Sequence, residues 1–278
     1  VTPSPTGPDS ATFGDSFAAA SGESLASAYG ETFAAVYDDW YAGVTDVAST
    51  VETLLRLSGG GNLLELGVGT GRIAIPLAQR LSGPAHIVGV DASSAMLDRM
   101  AEKVADLSDS VRDRIVMHRG DMKNPVPGGP FSVIFCTFNT FFNLPDRAAQ
   151  IECLHSAAMS LTPGGAIVLE TAVFHDDPTH DPTHDEHHDP IHETRIRPDG
   201  GTVRSTSRIT SEHTAEGEFS DDRGNVWPWR ICFASPAHID RMASEAAGLV
   251  CTDRWEDFTR RPFVPSSSRQ VCVLRRRL

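Results

Sequence analysis

The chain has 278 residues, enough to bury a proper core as one large domain or as a core domain with a cap. Its formal net charge of −13 argues against tight, sequence-independent nucleic-acid binding, which needs a basic face, and no uninterrupted apolar stretch is long enough to span a bilayer. The five cysteines (Cys136, Cys153, Cys232, Cys251 and Cys272) are scattered through apolar contexts, which reads as reduced core thiols and not as a disulfide or zinc framework.

Residues 1 to about 30 are rich in Ser, Ala, Gly, Pro and Thr and read as a loosely ordered arm. No Lys or Arg precedes Arg56, so neither a secretory signal nor an Arg-rich transit segment is expected there, and a cytoplasmic location is. From Glu31 a helical pattern sets in, with Phe33, Val36, Tyr37, Trp40 and Tyr41 at 3, 4 spacing. A second helix is expected over Thr45 to Leu57. Then strands and helices alternate. Strands are expected at Asn62–Leu66, His86–Val90, Arg114–His118, Phe131–Thr137 and Ala166–Thr171, and helices at Arg72–Leu81, Ala92–Ala105 and Asp146–Leu161, the last stopped by "TPGG". This rhythm implies a mainly parallel sheet with helices on both faces. It breaks from Phe174 to about Ala234, where alternating stretches between "PDGG" and "DDRG" turns predict antiparallel strands over the sheet's ligand edge. A helix over Pro236–Ala247, capped by Ser235, and two last strands in "LVCTDRWEDF" and "RQVCVLRRR" complete the chain.

The stretch "LLELGVGTGRI", Leu63 to Ile73, sets Gly67, Gly69 and Gly71 at a strand-to-helix junction. Bare backbone there lets a ligand lie directly on the chain, next to the free N–H groups of a helix start. A P-loop would need Lys and Ser or Thr after the glycines, and Arg72-Ile73 stands there. A dinucleotide fold prefers G-x-G-x-x-G, so Gly71 comes one residue early, and Glu65 would repel a pyrophosphate. Glu65 suits S-adenosylmethionine (SAM), whose sulfonium and amino acid end carry no phosphate. Asp91, followed by Ala92, ends the next strand at the distance from which a carboxylate takes both ribose hydroxyls. Gly120-Asp121-Met122 ends the third, where Asp121 can accept from an adenine amine and Met122 can pack on the ring. Phe138-Asn139-Thr140 ends the fourth, beside the reacting centre.

On these residues the chain resembles the class I SAM-dependent methyltransferases: "LELGVGTGR", "VGVDASSAML", "GDM" and "LTPGG" match that family's motifs in order and spacing, over roughly Tyr37 to Thr171 and again from Phe233. "FNTFFNL" and "AQIECLHSAAMSLTPGGAIVLET" look like an actinomycete-type group of small-molecule and peptide methyltransferases, cypemycin-type peptide and nucleotide-sugar N-methyltransferases among them. The resemblance implies a Rossmann-like α/β fold with Glu65 and Gly67 at the methionine end of SAM, Asp91 at the ribose and Asp121 at the adenine. It also implies a functional Tyr at Tyr41. The sugar enzymes carry an active-site His where Asn143 stands, and the His-rich tract is foreign to the pattern.

The expectation is therefore a SAM-dependent methyltransferase acting on an N or O nucleophile of a small molecule or peptide in natural-product metabolism. An NAD-linked oxidoreductase and a catalytically silent SAM-binding regulator are the alternatives. The cofactor residues are Glu65, Gly67, Gly69, Gly71, Asp91, Ala92, Asp121, Met122 and Phe138. Tyr41, Asn139 and Asn143 are the catalytic candidates, and Tyr37, Trp40 and Phe142 the acceptor contacts. Three segments are expected: an arm and helical lid (1–44), a SAM-binding core (45–173 and 234–278) and a β-rich acceptor-side cap (174–233). No nucleic-acid or membrane partner is expected, and a dimer is one option. The tract from Asp177 to His192 places a His at every fourth residue, but proline in three of its four tetrads forbids a helical metal-binding face, so it reads as a solvated loop.

Overall fold

The computed structural model describes residues 25–41, 43, 45–174, 191–197 and 200–277. The arm before Leu25 and most of the His-Asp-Pro tract lie outside the described residues. At the N-terminal side come α1 (Leu25–Phe33), α2 (Tyr37–Tyr41) and α3 (Val47–Ser58). The core then alternates through β1 (Leu63–Leu66), α4 (Ala74–Arg80), β2 (Ile87–Asp91), α5 (Ser94–Ala105), a short α6 (Asp109–Arg112), β3 (Ile115–Arg119), β4 (Phe131–Cys136), a 3-10 turn (Thr140–Asn143), α7 (Arg147–Met159) and β5 (Leu161–Ala172). Four strands follow: β6 (Ile191–Ile196), β7 (Thr202–Ser211), β8 (Thr214–Asp221) and β9 (Val226–Cys232). The chain ends with α8 (Pro236–Ala247), β10 (Leu249–Trp255) and β11 (Arg269–Arg276).

Seven strands form one sheet in the order β10-β11-β5-β4-β1-β2-β3, with β3 to β5 parallel and the last two antiparallel. The direction of winding reverses between β1 and β4, and the crevice at the strand C-termini there is where open α/β sheets hold ligands. Period-two alternation builds a core on each face. Leu64, Leu66, Ile134 and Cys136 pack toward α7 and α8, while Leu63, Val133 and Phe135 pack toward α3 and α4. Local chemistry sets the helix starts: the side chains of Asp46, Ser93, Asp146 and Ser235 accept from the backbone N–H three residues on, at the heads of α3, α5, α7 and α8.

The insert forms the expected antiparallel sheet, in the order β6-β7-β8-β9. It docks on the N-terminal helices through an aromatic knot: Trp40 lies 5.9 Å from Phe219 and 4.6 Å from Trp227, and Phe33 lies 5.8 Å from Phe219.

Three details depart from the sequence reading. The helical run from Glu31 to Tyr41 is two helices broken by a turn at residues 34–36. Asp38, in α2, accepts from Thr70 Oγ1 at 2.7 Å and pairs with Lys103 at 2.6 Å, so contacts distant in sequence orient this helix. "TPGG" does not separate α7 from its following strand. It bulges within β5, because Phe131 already pairs with Leu161 before Val133 pairs with Ala166. The third is α6, too short for any periodicity to announce.

Candidate functional site

A small cavity of about 50 Å³ sits at the switch point, lined by Gly67, Gly69, Asp91, Ala92 and Met122 together with Tyr37 and Asn143. Seven predicted residues thus share one wall. Gly67 has φ +68, and a Cβ there would lie 2.2 Å from Thr140 Cγ2, so both backbone and space demand glycine. Gly69 is also left-handed (φ +55), a Cβ there would meet only Met96 Sδ at 3.9 Å, and its N–H donates to Asp91 Oδ2 at 2.8 Å. Asp91 Oδ1 accepts from Ser93 N at 2.9 Å. These two bonds fix the carboxylate at the cavity edge with lone pairs to spare for hydroxyl donors.

Glu65, two residues before Gly67, does not line the cavity and is buried, 3% exposed. Burial pushes its carboxyl up to about 8, against the opposing charge of Arg72 and a hydrogen bond from the Ala74 N–H. Its Oε2 has no partner among the described residues. An orphaned carboxylate oxygen beside bare backbone fits the cationic amino acid end of SAM, and Asp91 at the end of β2 fits its ribose. On these observations the residues present suit the cofactor.

The remaining predicted residues stand elsewhere. Gly71 is off the wall. A Cβ on it would meet Ile75 and Met100 at 2.9 Å, so its role is close packing of α4 and α5. Asp121 turns aside: it accepts from Lys123 N at 2.9 Å and faces Lys123 Nζ at 3.6 Å, and its neighbours Gly120 and Met122 line the cavity instead. Phe142 is fully buried core, 6.1 Å from Phe174. Trp40 belongs to the aromatic knot. Asn139 spends its side-chain oxygen on the Ala172 N–H.

Phe138 and Asn139 both adopt left-handed backbone, with φ 56 and 63. Side chains disfavour this region, and the end of β5 holds the turn there: Glu170 Oε2 accepts from Phe138 N at 2.9 Å. The turn presents the Phe138 ring 4.7 Å from the Arg72 guanidinium and 4.9 Å from Tyr41. Tyr41 is covered by this ring, by Tyr37 at 4.8 Å and by Arg195, whose guanidinium lies 5.3 Å over it. It hydrogen-bonds Tyr29 and stands one layer behind the cavity wall. Burial raises all three tyrosine hydroxyls, Tyr37 to about 12, so all are neutral at pH 7.

Sequence reasoning expected a helical lid within residues 1–44 but missed two residues of it that line the cavity. Tyr29 and Gly30 line the cavity from above, although they fall in the segment read as a loose arm. Gly30 approaches α5 so closely that a Cβ would lie 2.4 Å from Ser93 Cβ. Next to it, Glu31 Oε1 accepts from Ser93 Oγ (2.9 Å), Ser94 Oγ (3.1 Å) and Ala95 N (3.2 Å), which ties α1 to the head of α5. The faint signal was the free helix start that Ser93 announces, which a carboxylate from elsewhere can complement.

Comparison with known proteins bears on the same residues. Residues 63–165 match a methyltransferase domain family. The CcbJ methyltransferase of Streptomyces caelestis superposes with a TM-score of 0.76 at 30% identity, covering 90% of this chain and 98% of that one. The cypemycin N-terminal methyltransferase of a Streptomyces species is 34% identical over 111 residues, 40% of this chain and 42% of that protein. The demethylmenaquinone methyltransferase of Lactiplantibacillus plantarum is 32% identical over 120 residues, 42% of this chain and 48% of that protein. The chain thus spans under half the length of these two curated relatives, and the residues that match the family, 63–165, contain the glycine loop and the strand ends around it. With near-complete overlap with CcbJ and a cavity chemically suited to the cofactor, the chain belongs to the class I SAM-dependent methyltransferases.

Proposed function

We propose that this chain transfers a methyl group from SAM to an amine nitrogen or hydroxyl oxygen of a small molecule or peptide, in natural-product metabolism. The observation that carries this reading is the layer of neutral tyrosines, Tyr29, Tyr37 and Tyr41, between the cofactor cavity and the inserted sheet. The cypemycin relative, named for methylating a peptide N-terminus, supports a nitrogen acceptor. When bound, SAM supplies an electrophilic methyl carbon on a sulfonium that leaves without acid assistance.

The chain's own groups then bind, align and exclude water. Glu65 takes the ammonium end and Asp91 the ribose hydroxyls. Tyr37 and Asn143 on the wall orient the incoming lone pair, with Tyr41 holding Tyr29 by its hydrogen bond. Because the tyrosines are neutral they orient and do not deprotonate, so an amine acceptor reacts as its free base. The segment division belongs to the same reading, with a lid before residue 45 and the 174–233 insert as the acceptor-side cap. The Phe33, Trp40, Phe219 and Trp227 contacts support it. A cytoplasmic location belongs to the same reading, supported by five cysteines that are all free.

The test pairs calorimetric titration with S-adenosylhomocysteine (SAH) with mass-spectrometric screening of amines and alcohols for a 14 Da gain, about the mass of one methylene. Tight SAH binding and a methylated product are expected. SAH binding without any product across the panel would favour the silent regulator.

A further inference from the structure

Behind the tyrosine layer lies a second cavity of about 470 Å³ on the inserted sheet. Its walls include Glu193, Arg195, Val203, Ser205 and Phe219. Glu193 pairs across the ladder with Ser205, Arg195 with Val203, and Phe219 with Ser205, so these side chains share one face of the sheet. The volume falls in the range of small-molecule sites.

Arg195 has an unusual setting. Two other arginines of this sheet have carboxylate partners, Arg208 with Glu216 at 2.6 Å and Arg197 with Asp222 at 3.4 Å. Among the described residues, Arg195 has none. It is half-buried beside Val203, 2% exposed, and rests on the Tyr41 ring at 5.3 Å. It also hydrogen-bonds the Tyr41 hydroxyl, and the remaining N–H donors of its planar fork suit a carboxylate. Tyr41 in turn touches Tyr37, which lines the first cavity. Tyr37, Tyr41 and Arg195 therefore form a continuous line from one cavity to the other.

Resting on the methyl-transfer reading above, we propose that the second cavity is the acceptor subsite and that Arg195 binds a carboxylate carried by the acceptor. Phe219 and Val203 supply an apolar wall for the acceptor's body, and Ser205 and Glu193 receive its hydroxyl or amine donors. The substrate class is thus a small amine or alcohol that also bears a carboxylate.

The probes are hippurate and its uncharged analogue hippuramide, followed by saturation-transfer NMR. Hippurate should bind the full chain at least tenfold more tightly than hippuramide. Arg195→Gln should abolish that preference, and Arg195→Lys should keep part of it. Equal binding of the two probes, binding of neither, or an unchanged preference in Arg195→Gln overturns the inference. SAH titration of the same proteins separates the two levels. Absence of the carboxylate preference in the wild-type chain with SAH binding intact defeats this inference alone, whereas wild-type protein that does not bind SAH defeats the methyl-transfer reading.

Discussion

Glu65 is a carboxyl whose neighbours lift it to about 8, mainly by burial, while one of its oxygens waits for a partner. In the folded chain it is protonated at neutral pH, whereas in the unfolded chain it ionises near the ordinary carboxylate value of about 4. The native state therefore holds the extra proton between those limits, and this group's contribution to stability declines as pH rises through that window. Ligand binding reverses the preference, because an ammonium beside Oε2 favours the charged form. SAH binding at pH 7 should thus release a proton, and affinity should rise with pH, by up to about tenfold per unit, until it levels off near pH 8. Calorimetry in two buffers of different ionisation enthalpy reads the proton directly, and Glu65→Gln should eliminate it. Identical enthalpies in both buffers for the wild type would remove Glu65 from the ammonium. The tyrosines divide in a second prediction. Tyr37→Phe removes a hydroxyl from the cavity wall and should slow single-turnover methyl transfer at least tenfold with SAH affinity unchanged. Tyr41→Phe acts one layer back, by releasing Tyr29, and should cost less. A normal rate in Tyr37→Phe would reduce that residue to packing and leave proximity alone as the mechanism.

At the level of elements, α1 and α2 form a roof held at two points, Glu31 on the head of α5 and Asp38 on Thr70 and Lys103. With the roof down the cavity holds about 50 Å³, far below the ~300 Å³ at which small-molecule pockets begin, so ligand entry and exit are expected to require the roof to lift. Each latch is a set of charge-assisted bonds at a partly exposed surface, of roughly 1 kcal/mol net. Glu31→Ala and Asp38→Ala should each accelerate SAH dissociation about fivefold in stopped flow, and the double variant should do so more than either. Unchanged rates would assign closure to the aromatic knot alone. The roof is also where sequence reading stopped short. The β-α alternation, the glycine loop and Asp91 were legible because each is a local pattern of period, turn chemistry or strand end. Tyr29 and Gly30 carry no such pattern: Gly30 and its neighbour Glu31 dock on Ser93, more than sixty positions along the chain, and carry Tyr29 with them. Asp121 illustrates the opposite failure, since its place at a strand end was legible while its turn toward Lys123 was not. Asn139 likewise sits beside the site, but its backbone conformation commits its side chain to β5.

Across the whole molecule, the segment before β6 offers a further prediction. Replacing residues 177–190 of the His-Asp-Pro tract by a short Gly-Ser linker should leave the methyl-transfer rate within a few fold, and a chelator should have little effect. Activity lost and then restored only by one divalent metal would make the enzyme metal-assisted. The sequence supplied the two sheets as separate patterns, one parallel and interleaved with helices, the other antiparallel, but not the contact that joins them. That contact is the knot of Phe33, Trp40, Phe219 and Trp227. Phe33 and Trp40 ride on the roof over the first cavity, and Phe219 also walls the second. A shift in either sheet face must then move the other, because packed rings rearrange together and do not slide freely. On the acceptor-subsite proposal above, the two cavities should answer to one equilibrium, open or shut, and joint titration of SAH and an acceptor checks it. Heterotropic cooperativity follows: whichever ligand arrives first raises the affinity for the other, and reciprocity requires the same factor in both directions. The same linkage should then govern release, with an acceptor on the insert prolonging the residence of the spent cofactor beneath the roof.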